Sequence, residues 1–255
     1  MLVDTHAHIY LDKFKKDIQE TVARAEEAGL SQIYLPNIDH TTIDDMLELE
    51  QRFPSMCIPM IGLHPCYVSK NPNQDLYEIE SWLGRRKWVA VGEMGIDLYW
   101  DKTTLPQQAE AFEVQIRLAY QHQLPVVLHT REATQYTIDL LKKIGLRGLK
   151  GVFHCFGGTV AEAEQIIELG FFMGIGGVLS YPKSGLAQML EKVALDHLVL
   201  ETDSPYLTPT AYRGKRNEPA FMRVVAEQLA TIKGISLEEL AAKTSLNAQT
   251  LFARP

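Results

Sequence analysis

Eight short apolar runs, separated by stretches of helical periodicity, constrain the fold of this 255-residue chain more than any other feature. The runs cover residues 1–8, 32–36, 57–62, 89–93, 125–129, 151–154, 171–176 and 197–203. Strands that alternate with helices predict a parallel sheet covered by helices, and continuously apolar strands are typical of sheets buried on both faces. Eight such units in a chain of about 250 residues predict an α/β fold, the (β/α)₈ TIM barrel.

The alternative fold is a doubly wound open sheet. Such a sheet usually carries a glycine-rich phosphate loop after its first strand, but here that place holds His6-Ala7-His8. The glycine cluster at residues 174–177 lacks the third glycine at the required spacing and follows the seventh run. The barrel therefore explains the pattern better.

The tail from Glu218 predicts C-terminal helices that pack on the barrel, over residues 221–232, 237–243 and 247–252. No linker, internal repeat or low-complexity tract interrupts the chain, so we expect a single domain over residues 1–255.

Composition restricts the partners and the compartment. A net charge of −7 argues against a broad duplex-binding surface, although it is compatible with a small basic patch at a phosphate site. Three cysteines without framework spacing argue against disulfides and favour a reducing compartment. No secretory start and no run of about 18 apolar residues is visible. We therefore expect a cytoplasmic protein with no membrane contact and no obligate protein partner.

Residues of the types that bind divalent cations stand at the ends of the predicted strands, where barrel enzymes carry their catalytic groups. They are His6, His8, Glu93, His129, His154 and Asp203. His6 and His8 share one strand face because side chains alternate along a strand. Six ligands exceed the needs of one tetrahedral ion, so we expect two ions with Glu93 as the bridge. The set contains no thiolate and suits zinc, manganese or magnesium.

Such a pair of ions, about 3.5–4 Å apart, lowers the pKa of a water and clamps the attacking and leaving oxygens of a hydrolysis. Asp203, at the end of the last strand, would hold one ion and orient or deprotonate that water. We therefore expect Asp203 and Glu93 to be the catalytic residues of a hydrolase.

Six motifs in order resemble the TatD family, a group of metal-dependent hydrolases in the amidohydrolase superfamily. They are His6-Ala7-His8, Gly62-Leu63-His64-Pro65, Gly92-Glu93-Met94-Gly95-Ile96-Asp97, Leu128-His129-Thr130-Arg131, His154-Cys155-Phe156 and Leu200-Glu201-Thr202-Asp203-Ser204-Pro205. The resemblance runs from end to end. It implies a TIM barrel with a two-metal site and a deoxyribonuclease that removes nucleotides from 3′ ends of single-stranded DNA. It also implies the ligand sets: His6, His8, Glu93 and Asp203 for one ion, and Glu93, His129 and His154 for the other.

Three positions depart from the family pattern: Cys66, Leu98 and Gly157. None is a metal ligand. Cys66 and Leu98 are candidates for lining the substrate groove, so the departures bear on substrate preference more than on chemistry.

Further residues are candidates for substrate binding or for support of the metal ligands, each with a structural alternative: His64, Arg131, Glu201, Arg213 and Arg216. Glu201 and Asp4 are placed either to hold an imidazole N–H or to be satisfied buried acids. The cations of the Tyr212–Asn217 loop are either phosphate contacts or a solvated turn. The aromatic residues Tyr99, Trp100 and Tyr206 either stack on bases or pack loops.

Three functions are compatible with these sequence features. The leading hypothesis is a phosphodiesterase acting on single-stranded DNA ends. The first alternative is an amidase or lactonase for a small molecule, because the same activated water attacks a carbonyl carbon. The second is a non-catalytic scaffold, against which the complete ligand set argues.

Overall fold

A computed structural model describes residues 1–253 and contains the predicted barrel. Its strands are β1 Leu2–Asp4, β2 Leu30–Leu35, β3 Cys57–Pro59, β4 Val91–Gly95, β5 Val126–His129, β6 Gly151–Phe153, β7 Phe172–Ile175 and β8 Leu198–Leu200. They pair in parallel in chain order, as β1 to β3 and as β4 to β8. The bridges Ala7–Ser204 and Ile61–Val91 join the two groups and close the barrel. The predicted domain end at residue 255 lies outside the described residues.

Helices follow the strands and cover the outside of the barrel. They are α1 Ile18–Glu27, α2 Ile43–Arg52, α3 Asn73–Arg85, α4 Leu105–Gln121, α5 Thr134–Ile144, α6 Val160–Glu168, α7 Leu186–Lys192, α8 Met222–Lys233 and α9 Leu237–Leu251. Within residues 1–253, no helix combines the length and the apolar character needed to cross a membrane.

The prediction of two short helices at the C-terminus was wrong, because α9 continues through the polar residues that suggested a break. The Thr244 hydroxyl donates back to the Leu240 carbonyl at 2.9 Å, which keeps this side chain compatible with a helix. The Asn247 side-chain amide donates to the carbonyls of Leu195 and Leu198, at 2.8 and 2.7 Å. Tertiary hydrogen bonds therefore hold α9 as one helix.

Apolar side chains fill the lower part of the barrel and leave its upper mouth to polar groups. Val127 and Val152 are buried in an apolar cluster. His129 follows Val127 by two residues at the end of β5, and His154 follows Val152 by two residues just after β6. Because side chains alternate along a strand, each valine shares a face with the histidine above it. The end of α9 and Phe252, the residue that follows it, belong to the same cluster. Burying one such large side chain contributes roughly 1.5–3 kcal/mol.

Candidate metal centre

The six ligand-type residues meet at the mouth of the barrel. His6 and His8 follow β1 in an extended segment that the Ala7–Ser204 bridge fixes against the end of β8. Their Nε2 atoms are 3.1 Å apart. The backbone N–H of Asp203 donates to the His6 carbonyl at 2.8 Å, which brings its side chain to the two histidines.

Glu93 lies at the centre, and its two carboxylate oxygens face different histidines. Oε2 is 3.1 Å from His6 Nε2 and 3.3 Å from His8 Nε2. Oε1 is 2.8 Å from His129 Nδ1 and 3.6 Å from His154 Nε2. One buried carboxylate thus joins two separate groups of imidazoles, which is the arrangement that a bridging ligand needs.

The first group fits a cation because His8 presents a lone pair to the two carboxylates of the group. The Tyr10 hydroxyl has one hydrogen, which it donates to the Pro36 carbonyl at 2.7 Å. His8 Nδ1 is 2.9 Å from the same hydroxyl, so Nδ1 carries the imidazole proton and donates it. His8 Nε2 therefore presents a lone pair, 3.3 Å from Glu93 Oε2 and 3.6 Å from Asp203 Oδ1.

The same hydrogen bond makes Tyr10 a testable positioning residue. Tyr10→Phe removes the acceptor for the His8 Nδ1 proton and the donor for the Pro36 carbonyl. We expect metal affinity to fall about tenfold, as for other partners that orient metal-binding histidines. Isothermal titration with Mn²⁺ measures it, with the exposed Tyr120→Phe as the control. Equal affinities for the wild type and Tyr10→Phe would show that Tyr10 does not orient His8.

Asp97 orients His129, a role that the sequence analysis did not assign although the residue lies in one of the quoted motifs. Its Oδ2 is 2.8 Å from His129 Nε2, and its Oδ1 accepts the backbone N–H groups of Tyr99 and Trp100, both at 2.9 Å. Burial opposes ionisation of Asp97, but these hydrogen bonds prevail and hold its pKa below the usual value. The Asp97 carboxylate thus accepts a hydrogen bond from His129 Nε2–H, and this orients His129 Nδ1 towards Glu93.

Glu201 and Asp4 have different surroundings. Glu201 Oε1 lies 3.0 Å from His154 Nδ1 and accepts the backbone N–H of Cys155 at 2.6 Å. Asp4 holds no imidazole; it accepts the Thr202 hydroxyl at 2.6 Å and the backbone N–H of His6 at 3.2 Å. Asp4 is therefore a satisfied buried acid that fixes the strand ends rather than a partner of a histidine ring.

His64 faces the same centre from the end of the segment after β3. Its Nδ1 accepts the backbone N–H of Cys66 at 3.0 Å. The imidazole proton is therefore on Nε2, which lies 3.2 Å from His129 Nδ1 and 3.5 Å from Glu93 Oε1. Burial lowers the pKa of His64 and keeps it neutral. A neutral His64 is a hydrogen-bond donor towards the centre.

A cavity of about 1000 Å³ opens above these groups. His64, Asp97 and Arg131 line it together with ligand residues, and so do aromatic side chains that are substantially exposed. Those aromatic residues are Tyr67, Trp100 and Tyr206. Of the departures from the family pattern, Cys66 and Gly157 line the cavity, whereas Leu98 packs against the apolar core.

The two arginines predicted in the loop after β8 do not line this cavity. Arg216 donates two hydrogen bonds to Asp17, at 2.8 and 2.7 Å, and its guanidinium lies 4.0 Å from the centre of the Phe14 ring. These hydrogen bonds fasten the loop to the segment before α1, and a phosphate contact by Arg216 stays a prediction. Arg213 is exposed and lies outside the cavity lining.

Metal binding is expected to release protons, because imidazoles must be deprotonated to coordinate. Burial favours neutral His154, but the carboxylates of Glu201 and Glu93 outweigh it and raise its pKa to about 10. The pKa of His129 is also raised, because its hydrogen bonds to Asp97 and Glu93 outweigh the effect of burial. At pH 7.5 the metal-free His154 is therefore protonated. Titration calorimetry of Mn²⁺ in buffers of different ionisation enthalpy should detect at least one proton released per chain; zero release would contradict these pKa directions.

The barrel and its histidine–carboxylate cluster define this chain as a metal-dependent hydrolase. The chain belongs to the TatD-related DNase family, whose model matches residues 3–253. The alternative of a non-catalytic scaffold was therefore wrong, and the fold and the family expected from the motifs are confirmed.

Relatives match the chain over nearly its whole length. It is 35% identical to the uncharacterized metal-dependent hydrolase YabD of Bacillus subtilis, covering 99% of both chains. It is 34% identical to the 3′-5′ ssDNA/RNA exonuclease TatD of Erwinia tasmaniensis, covering 98% of this chain and 99% of the relative. The crystal structure of YjjV, a TatD homolog from Escherichia coli K12, superposes with a TM-score of 0.93 at 31% identity, covering 100% of this chain and 98% of YjjV.

Proposed function

We propose that this hydrolase cleaves phosphodiester bonds at the 3′ ends of single-stranded nucleic acid, as a 3′–5′ exonuclease with two divalent ions. The observation that carries the proposal is the division of the Glu93 oxygens between the His6–His8 pair and the His129–His154 pair. Two ions sharing a carboxylate suit an in-line displacement at phosphorus, where the attacking and leaving oxygens both need stabilisation. Magnesium, manganese and zinc all suit this donor set.

Within this mechanism we assign His6, His8, Glu93 and Asp203 to one ion, and Glu93, His129 and His154 to the other. When bound, the ions supply Lewis acidity that lowers the pKa of a water. Burial raises the pKa of Asp203 to about 6, so this carboxylate is ionised at neutral pH and basic enough to accept a proton from the attacking water. His64 donates its Nε2 hydrogen to a phosphoryl oxygen.

Three features support a nucleic acid as the substrate. Tyr67, Trp100 and Tyr206 are 51%, 68% and 43% exposed at the cavity, where bases can stack on them. Arg131 lines the same cavity, and its planar guanidinium can bind a phosphate through two parallel N–H groups. The Erwinia relative is named as an exonuclease of single-stranded DNA and RNA. The recessed site and the net charge of −7 favour single strands over duplexes.

The test is hydrolysis of end-labelled oligonucleotides by metal-reconstituted protein. Single-stranded DNA, single-stranded RNA and duplex DNA are compared, beside a panel of amides and lactones. We expect mononucleotides to be released from the 3′ end of single strands, with loss of activity in chelator and recovery with added Mn²⁺ or Mg²⁺. The metal-loaded Asp203→Asn variant is the control for contaminating nucleases.

The same panel distinguishes the proposed nuclease activity from hydrolysis of a small amide or lactone. Turnover of an amide or lactone with intact oligonucleotides would replace this proposal by the small-molecule one. Hydrolysis that survives exhaustive chelation, with no metal left by elemental analysis, would exclude the two-metal mechanism altogether.

A further inference from the structure

We propose that two cation–aromatic groups on opposite sides of the cavity bind the nucleotides on either side of the scissile phosphate. One consists of Lys13 and Tyr206, and the other of Arg131, Tyr99 and Trp100. This inference rests on the proposed function and specifies its substrate: a flexible single strand long enough to reach both groups.

The first group lies beside the His6–His8 side of the centre. The Lys13 ammonium is 5.0 Å from the centre of the Tyr206 ring. Tyr206 follows Asp203 by three residues, lines the cavity and lies 6.3 Å, centre to centre, from the His8 ring. A base can stack on its ring while the ammonium donates hydrogen bonds to the adjoining phosphate.

The second group lies beside the His129 side. The Arg131 guanidinium carbon is 3.7 Å from the centre of the Tyr99 ring and 5.4 Å from that of Trp100. Arg131 follows His129 by two residues, and Trp100 is 68% exposed at the cavity. Stacking on an aromatic face restrains the guanidinium and leaves its N–H groups free to bind a phosphate.

The topology places the two groups on opposite walls. Tyr206 follows β8, next to β1, whereas Trp100 and Arg131 follow β4 and β5. In an eight-stranded barrel closed in chain order, the β8–β1 edge lies across the barrel from β4 and β5. The metal centre lies between the two groups. A single-stranded nucleic acid that reaches from one group to the other therefore passes its scissile phosphate over Glu93.

The two cations of these groups have no internal ion pair within the described residues. Among the ion pairs of residues 1–253, neither Lys13 nor Arg131 has a carboxylate partner, whereas nearby Arg216 is paired with Asp17 and Lys15 with Asp45. A charge without an internal partner at the edge of an anion-binding cavity is available to substrate. Arg131 was a candidate for substrate binding from the sequence, whereas Lys13 was not.

The test measures binding separately from cleavage. The probe is a fluorescein-labelled hexathymidylate with phosphorothioate linkages, which keeps its charge and resists hydrolysis. Fluorescence anisotropy gives its Kd at several salt concentrations for metal-loaded wild type, Lys13→Ala and Arg131→Ala. Matched controls are Lys16→Ala, an exposed lysine of the same segment, and Arg85→Ala, which removes a guanidinium stacked on Trp82 away from the cavity.

We expect Lys13→Ala and Arg131→Ala each to weaken hexathymidylate binding about fivefold to tenfold at low salt. Each should also reduce the slope of log K against log salt by about 0.7, the value for one phosphate contact on a single strand. The ratio of kcat/KM for unmodified hexathymidylate to kcat/KM for methyl p-nitrophenyl phosphate should fall in parallel, since the small diester cannot reach the two groups. The control variants should match the wild type in all three measurements.

Unchanged affinities and slopes in both variants would overturn the inference, as would equal losses on the small diester. Arg131→Lys keeps the charge without the stacked fork and serves where Arg131→Ala fails to fold. Wild-type protein that binds the hexamer but cleaves no oligonucleotide would refute the proposed function alone. Protein that cleaves oligonucleotides without loss in either variant would refute this inference alone.

Discussion

Asp203→Asn is expected to lower turnover on oligonucleotides by about 10³-fold while the fold persists. The substitution keeps the size and shape of the side chain but removes the negative charge near His6 and His8, where Oδ1 lies 3.8 and 3.6 Å from their Nε2 atoms. It also removes the group that takes the proton from water in the proposed mechanism, and general bases contribute about 10²–10⁴-fold to rate. Single-turnover kinetics at saturating Mn²⁺ measure the chemical step, with circular dichroism to verify the fold.

Asp44→Asn is the matched control, because Asp44 is an exposed aspartate on α2 outside the cavity lining. It should turn over substrate like the wild type. Turnover of Asp203→Asn within tenfold of the wild type would mean that another group accepts the proton.

The second large effect is expected for Glu93→Gln. The carboxylate is 2% exposed and faces five imidazoles, so the amide both loses a charge and presents N–H donors to ligand atoms. We expect metal stoichiometry after dialysis to fall from two ions per chain to one or fewer, and turnover to fall by at least about 10³-fold, because both ions share this residue in the proposed mechanism.

Elemental analysis of the dialysed Glu93→Gln protein measures the stoichiometry. The exposed Glu48→Gln variant is the control and should retain two ions. Two tightly bound ions in Glu93→Gln would show that Glu93 is not the bridge, even if activity were lost.

The architecture could be predicted from the sequence because its pattern is local. Runs such as those ending at His129 and His154 carry both the apolar residues of the barrel interior and a ligand-type residue at the carboxyl end. Parallel strands end at one rim, so the topology alone brought His6, Glu93 and Asp203 together. The candidate ligands at the carboxyl ends of the strands do lie close together in the structure.

Residues whose surroundings depend on distant parts of the chain could not be placed in this way. Arg216 was expected at a phosphate but is held by Asp17, 199 residues away. Asp97 and Tyr10 escaped notice because their contacts with His129 and His8 depend on loop conformations that follow the strands. The backbone of Asp203 has φ of 56°, a costly conformation of about 1–3 kcal/mol for such a residue. No sequence pattern signals that turn.

Anomalous diffraction from crystals of the Mn²⁺-reconstituted protein tests whether two ions share Glu93. We expect two manganese peaks per chain, both within coordination distance of the Glu93 carboxylate. One peak should also contact His6, His8 and Asp203, and the other His129 and His154. A single peak at full occupancy, or two peaks with Glu93 bound to only one of them, would contradict this expectation.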